Sequence, residues 1–344
     1  MDILVGLLII AVGSFGQSSS YVPINKVKSW SWESFWLVQG IFAWLLFPLL
    51  GAFLAVPRGS TLAELYAGGV PWLSVLYGVL WGIGGLTFGL SMRYLGVALG
   101  QSVSLGTCAA FGTLLPALFG GTNLFRGEGL VLLIGVCITL AGIAVIGYAG
   151  SLKARHMSDE AKQKAVRDFA FTKGILVALL AGVMSACFSL GLEAGGEVQQ
   201  TARSLGALDL FALNPVILLV TLGGFITNAA YCLWQNVKNH TGKEYFSVPI
   251  SIGFNNLFYC ALAGLLWYSQ FFGLGMGKSF FNDSPVMLSF SWSILMSLNV
   301  LFSNVWGIVL NEWKGVDRRT IVVLIVGLLI LVFSTLFPNL IHIG

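Results

Sequence analysis

The chain has 344 residues, of which 57% are hydrophobic and only 9% charged, and its formal net charge is +4. A soluble domain carries about 25% charged residues, so this composition cannot clothe a water-facing surface, and lipid must be the solvent for most of it. The net charge is too small to point to nucleic acid; what matters is where Lys and Arg fall.

Ten apolar runs follow one another: 3–21, 35–56, 72–92, 94–119, 130–148, 174–193, 214–234, 249–272, 286–310 and 321–340. A spanning helix needs about 20 apolar residues, so ten spans is close to the upper limit for this length. The chain starts Met1-Asp2 and passes directly into Ile3-Leu4-Val5. A secretory signal would open on a basic segment, so the first run is expected to be a retained helix.

Basic residues accumulate in cytoplasmic loops. Fourteen Lys and Arg fall in the odd-numbered connections, Lys26, Lys28 and Arg93 among them, and four (Arg58, Arg126, Arg203 and Lys278) fall on the other side. This places the odd connections in the cytoplasm and both termini in the periplasm. The longest connection, 151–173, divides the chain. Its Ser158, followed by Asp159 and Glu160, reads as the N-cap of a short cytoplasmic helix.

The flanking parts resemble each other. Gly78-Val79-Leu80-Trp81 followed by Gly89 recurs as Gly264-Leu265-Leu266-Trp267 followed by Gly275, and Ile3 to Leu8 finds a weaker echo in Ile175 to Leu180. The expected architecture is therefore all-α and integral to the membrane, with ten transmembrane helices as two five-helix repeats, 1–150 and 174–344, around the cytoplasmic connector 151–173. Five helices per repeat is odd, so the second repeat enters from the opposite side. Such inverted repeats are common in secondary carriers, with the solute site near the midplane.

Enzyme chemistry finds no footing: the sequence has no Walker A, HExxH or strand-borne GxSxG motif. The three histidines, His156, His240 and His342, fall in loops or at the C-terminal tip. The five cysteines lie in apolar runs without metal-ligand spacing and read as small buried hydrophobes. No metal, cofactor or nucleic acid is expected, only a small solute and the bilayer.

The informative residues are polar ones inside the spans. Gln101 lies in the fourth run, Asn256, Trp267, Tyr268 and Gln270 in the eighth, and Trp81 in the third. Amides exchange hydrogen bonds with hydroxyls, and indole and phenol rings cover the C–H faces of a sugar. An anion would call for midplane cations and a cation for midplane carboxylates, so this set suits a neutral polyhydroxylated solute. The expected cavity lies among helices 1, 3, 4, 6, 8 and 9. Each residue also has a plainer reading, as a helix–helix contact or part of an interface belt. Three charges lie near span ends. Glu193 is expected to couple a proton through desolvation on a face shared with Ser185 and Ser189. Glu33, beside Lys26 and Lys28, and Arg93 are expected to gate.

The segments Lys26 to Glu33, Trp81 to Gly84 with Gly89 to Gly96, Gly264 to Phe272, and Glu312-Trp313 with Arg318-Arg319 resemble the bacterial L-rhamnose–proton symporter family of the drug/metabolite transporter superfamily. The resemblance implies uptake of a 6-deoxyhexose with a proton across the inner membrane. The sequence departs from the family pattern at Gly85, Thr87 and Asn255, which bears on the exact sugar and the coupling group. The alternative is an exporter or exchanger of another small metabolite.

Overall fold

A computed structural model describes residues 2–95, 97–155, 171–311 and 313–341. Among them every regular element is helical, and ten helices are long and apolar enough to cross a membrane. In chain order these are α1 (Asp2–Ile24), α2 (Trp32–Leu54), α3 (Trp72–Met92), α4 (Gly100–Phe119), α5 (Gly127–Lys153), α6 (Thr172–Ser204), α7 (Asn214–Lys238), α8 (Ile250–Lys278), α9 (Pro285–Val309) and α10 (Arg318–Leu340). The helix expected after Ser158 lies outside the described residues.

The helices are apolar on both faces. On α1, Leu4, Leu8, Val12 and Phe15 are exposed, whereas Leu7 and Ile10 are buried together with Gly6, Gly13 and Gly16. The small residues of the buried face let neighbouring helices approach closely, which is where contact area between helices in lipid comes from. Lys153, Lys173 and Lys238, all in connections expected to be cytoplasmic, lie over the rings of Trp313, Tyr94 and Trp234 at 4.7, 4.7 and 5.0 Å. Aromatic rings and long cations of this kind mark a membrane–water boundary.

Several helices run past their expected ends, α6 and α8 among them. The sixth apolar run stops at 193, where polar residues begin, but α6 continues past a break at Gly195 as the amphipathic stretch Gly196–Ser204. Val198 and Ala202 form its buried face. Ala202 joins Ala55, Leu65 and Ala212 in a small core, against which Tyr66 and Phe211 pack. The eighth run stops at 272, but α8 reaches Lys278, because Gly273 and Gly277 continue its packing against α1.

α2 is not wound uniformly. It is α-helical over Trp32–Gly40, a π-helix over Ile41–Leu46 and α-helical again over Phe47–Leu54. Pro48 accounts for the wide turn. It has no N–H for the Trp44 carbonyl, and its ring crowds that carbonyl. A helix in lipid absorbs such a defect by local rewinding rather than by breaking.

The described chain forms two compact units. One contains Ile3–Gly82 and Gly191–Phe280, and the other the described parts of Ile83–Leu190 and Phe281–Gly344. Both draw on each side of the 151–173 connector. In the first unit, α1 lies tightly against α8. A Cβ at Gly13 would sit 2.5 Å from the Ser269 carbonyl oxygen, and the Ser269 hydroxyl donates to the Gly13 carbonyl at 3.0 Å. In the second unit, Trp292 donates from its indole to the Cys108 carbonyl (3.2 Å) and stacks on Phe188 with ring centroids 5.8 Å apart. Thr113 and Ser293 share a buried hydroxyl pair at 2.8 Å.

Candidate functional site

The residues singled out in the sequence divide between the units. Trp81, Asn256, Trp267, Tyr268 and Gln270 belong to the first, and Gln101, half-buried at the start of α4, to the second. Arg93 lies in the second unit on the helix that continues α3, and its side chain lies outside the described residues.

Trp81 and Trp267 come together with ring centroids 5.7 Å apart and planes tilted by 39°. Trp44, not singled out in the sequence, stands edge-on to both, at 6.1 Å from Trp81 and 5.8 Å from Trp267. Phe271 closes the group at 6.5 Å from Trp81 and 5.2 Å from Trp267. Three helices, α2, α3 and α8, thus each supply one indole. The cluster extends along α2, where Trp36 packs edge-on against Trp44 at 5.7 Å and Trp32 stacks on Trp36 at 5.4 Å. The Trp36 indole donates to Asn228 Oδ1 on α7 at 3.1 Å.

The wide turn aligns this row. In an uninterrupted α-helix, residues eight apart are offset by about 80°, which would turn Trp44 away from Trp36. A π turn takes more residues per revolution and brings the two rings back onto one face. Pro48 in mid-span was the available signal. The wide turn is held against α8 at Gly264, where a Cβ would lie 2.7 Å from Phe42 Cβ, 2.9 Å from the Ala43 nitrogen and 3.2 Å from the Gln39 carbonyl oxygen.

Several polar atoms near this cluster are buried and without a hydrogen-bond partner: Trp44 Nε1, Gln39 Oε1, Tyr268 Oη and Asn214 Oδ1. Tyr268 Oη abuts Gly51, whose carbonyl accepts from Asn214 Nδ2 at 3.0 Å. Gln270 is buried, and its Nε2 donates to the Trp267 carbonyl at 3.2 Å.

Asn256 does something different. Its Oδ1 accepts from the Lys28 main-chain N–H at 2.9 Å, and its Nδ2 donates to the Lys28 carbonyl at 2.7 Å. The amide thus holds the α1–α2 loop by both ends of one residue's main chain. The neighbouring Asn255 Nδ2 donates to the Lys26 carbonyl at 3.2 Å.

The same end of the first unit holds Glu33, only 6% exposed and the only buried ionisable carboxylate among the described residues. Its described partners are neutral: the Asn239 amide and the Thr241 hydroxyl both donate to Oε1 at 2.9 Å. Around it, Asn236 donates to the Ser34 and Thr241 hydroxyls at 3.1 and 2.9 Å and accepts from the Tyr245 hydroxyl at 2.9 Å. Burial pushes the Tyr245 phenol above its ordinary pKa. Glu244 accepts from the Ser31 N–H at 2.6 Å, and its carbonyl accepts from the Trp30 indole at 3.0 Å.

Glu193 has the opposite surroundings. Its side chain is 57% exposed and lies 3.6 Å from the Lys278 ammonium.

Comparison with known proteins bears on what this arrangement serves. The chain matches the family described as L-rhamnose-proton symport protein over residues 1–344. It is 32% identical over 338 residues to a protein of Yersinia pestis (strain Pestoides F) named L-rhamnose-proton symporter, covering 96% of each chain. A protein of the same name from Yersinia pseudotuberculosis (serotype O:1b, strain IP 31758) matches to the same extent. With ten apolar helices and a family match from end to end, the chain belongs to the L-rhamnose-proton symport protein family.

Proposed function

We propose that this protein imports a neutral deoxysugar, L-rhamnose, together with a proton across the bacterial inner membrane, with both termini in the periplasm. The match to the symporter family along the whole chain carries the reading. The site chemistry agrees with it. Indoles from three helices offer apolar faces to a sugar ring, and buried amides and a phenol offer hydrogen bonds to hydroxyls. In this reading Trp81, Trp267, Tyr268 and Gln270 of the first unit bind the sugar, while Asn256 holds the α1–α2 loop.

The inverted five-helix repeat is part of the same proposal. Gly78 and Gly264 are 186 residues apart. Shifting Ile3–Gly82 by that amount gives 189–268, close to the Gly191–Phe280 segment with which it packs. Equivalent portions of two repeats forming one compact unit is the pattern expected of a duplicated carrier.

Coupling is assigned to Glu33 rather than Glu193, with Arg93 retained as a gating residue. Glu33 sits on α2, and its two donors sit on the loop between α7 and α8. While that loop is docked, the carboxylate has hydrogen bonds that suit its charged form. Undocking removes these two donors, leaves only those of its own segment, and so weakens the preference for the charged form. The test is accumulation of labelled L-rhamnose by cells that have no other route for it, with and without a protonophore. Concentrative uptake abolished by the protonophore is expected. Absence of uptake, or uptake indifferent to the protonophore, refutes the reading.

A further inference from the structure

We propose that Trp44 and Gln39 on α2 recognise the sugar's hydroxyl groups, the Trp44 indole N–H as donor and the Gln39 carbonyl oxygen as acceptor. The inference rests on the sugar-transport reading and adds the residues that select among sugars.

Trp44 is 3% exposed and Gln39 1%. Trp44 Nε1 and Gln39 Oε1 are both buried without a hydrogen-bond partner. Native interiors leave few such groups unpaired, and hydrocarbon surroundings make each more costly than in a soluble core. An indole can only donate, and the amide oxygen can only accept. A hydroxyl does both, so a polyhydroxylated ring is the solute class that satisfies the pair. The residues are five positions apart across the π turn, so their rise is less than the ~7.5 Å of an α-helix, within the scale of a pyranose with its hydroxyls.

Trp44 is also the indole that stands edge-on to both Trp81 and Trp267. Its N–H therefore belongs to the side chain that completes the aromatic group, and the π turn sets its direction. Local π winding inside α-helices recurs at functional sites. Both groups are closed off from solvent.

The experiment measures binding of L-rhamnose and its singly deoxygenated analogues to the purified full-length protein in lipid nanodiscs by calorimetry. It compares wild type, Trp44→Phe and Gln39→Met; both variants keep an apolar or aromatic body and remove the polar atoms. Each variant is expected to weaken L-rhamnose binding about five- to tenfold, the effect of one neutral hydrogen bond; Trp44→Phe also removes buried ring volume and should lower the unfolding midpoint, so the analogues separate the hydrogen bond from packing. One deoxy analogue should bind wild type equally weakly and lose nothing further on Trp44→Phe, and a different analogue should behave so with Gln39→Met. If wild type binds L-rhamnose and the variants bind it as tightly, the inference fails while the transport reading stands. Equal weakening of every analogue also overturns it, because that reports packing or a bound water only. Failure of wild type to bind L-rhamnose removes the transport reading and this inference together.

Discussion

Gly264→Ala is the sharpest test of how α2 is held. The added Cβ would sit 2.7 Å from Phe42 Cβ, whereas ordinary contact begins at 3.4 Å, so α2 must retreat by about 0.7 Å (3.4 − 2.7). No side-chain rotation relieves this, because Phe42 Cβ is fixed to the backbone and the next two contacts are main-chain atoms, Ala43 N at 2.9 Å and Gln39 O at 3.2 Å. Overpacking of this kind costs about 1–3 kcal/mol. At no more than about 2–4 °C per kcal/mol for a chain of this size, the unfolding midpoint in detergent should fall by several degrees. Gly89→Ala is the control: nothing lies within 4 Å of a Cβ there. Alanine is the better helix former by about 0.5–1 kcal/mol, so its midpoint should hold or rise. Scanning fluorimetry on both variants decides the matter. A Gly264→Ala midpoint equal to wild type, or an equal fall for Gly89→Ala, refutes the claim that backbone contact at Gly264 fixes the wide turn.

Asn256→Ala removes both hydrogen bonds to the Lys28 main chain at a part-buried contact; with each lost bond worth about 0.5–1.5 kcal/mol, hydrogen exchange over residues 26–31 should quicken several-fold, and unchanged exchange would refute the latch. Glu33→Gln should retain sugar exchange down a gradient but lose concentrative uptake; uptake against a gradient with wild-type pH dependence removes Glu33 from coupling. Burial raises the Tyr66 phenol from 10.0 to about 12, and its hydroxyl donates to the Pro215 carbonyl at 3.0 Å. The folded state therefore keeps a proton that the unfolded chain loses, so this contribution to stability is intact below pH 10 and declines as pH rises from 10 toward 12. Tyr66→Phe should flatten that part of the stability profile, and an identical alkaline decline in both proteins would count against it.

The ten spans were legible because span length and apolarity are local properties of the chain, and the Trp81 and Trp267 pair was legible because both carry the same glycine spacing. The partners of the polar residues were not. Glu33 was read against Lys26 and Lys28, its neighbours in sequence, but its donors are 206 and 208 residues away. Asn256 reads as a pocket amide until the loop 228 residues away is seen to occupy both its polar ends. Glu193 was assigned to a shielded face because nothing nearby announced Lys278. Trp44 was missed for another reason: the 3.6-residue period places it off the Trp36 face, and only the wide turn returns it.

That turn has a consequence for how α2 can be altered. A π turn holds more residues than α winding over the same rise, so its inverse is a deletion rather than a substitution. Removing one residue between Ile41 and Leu46 would let the segment rewind as α-helix with Trp36 and Trp44 seven positions apart, within about 20° of two full turns. Trp32 and Trp36 would stay in line with Trp44, whereas α rewinding at full length would turn them away by about 80°. The alignment of the indole row thus depends on matching the winding of α2 to its number of residues, and a shortened α-helical α2 would keep the row that a full-length α-helical one would lose.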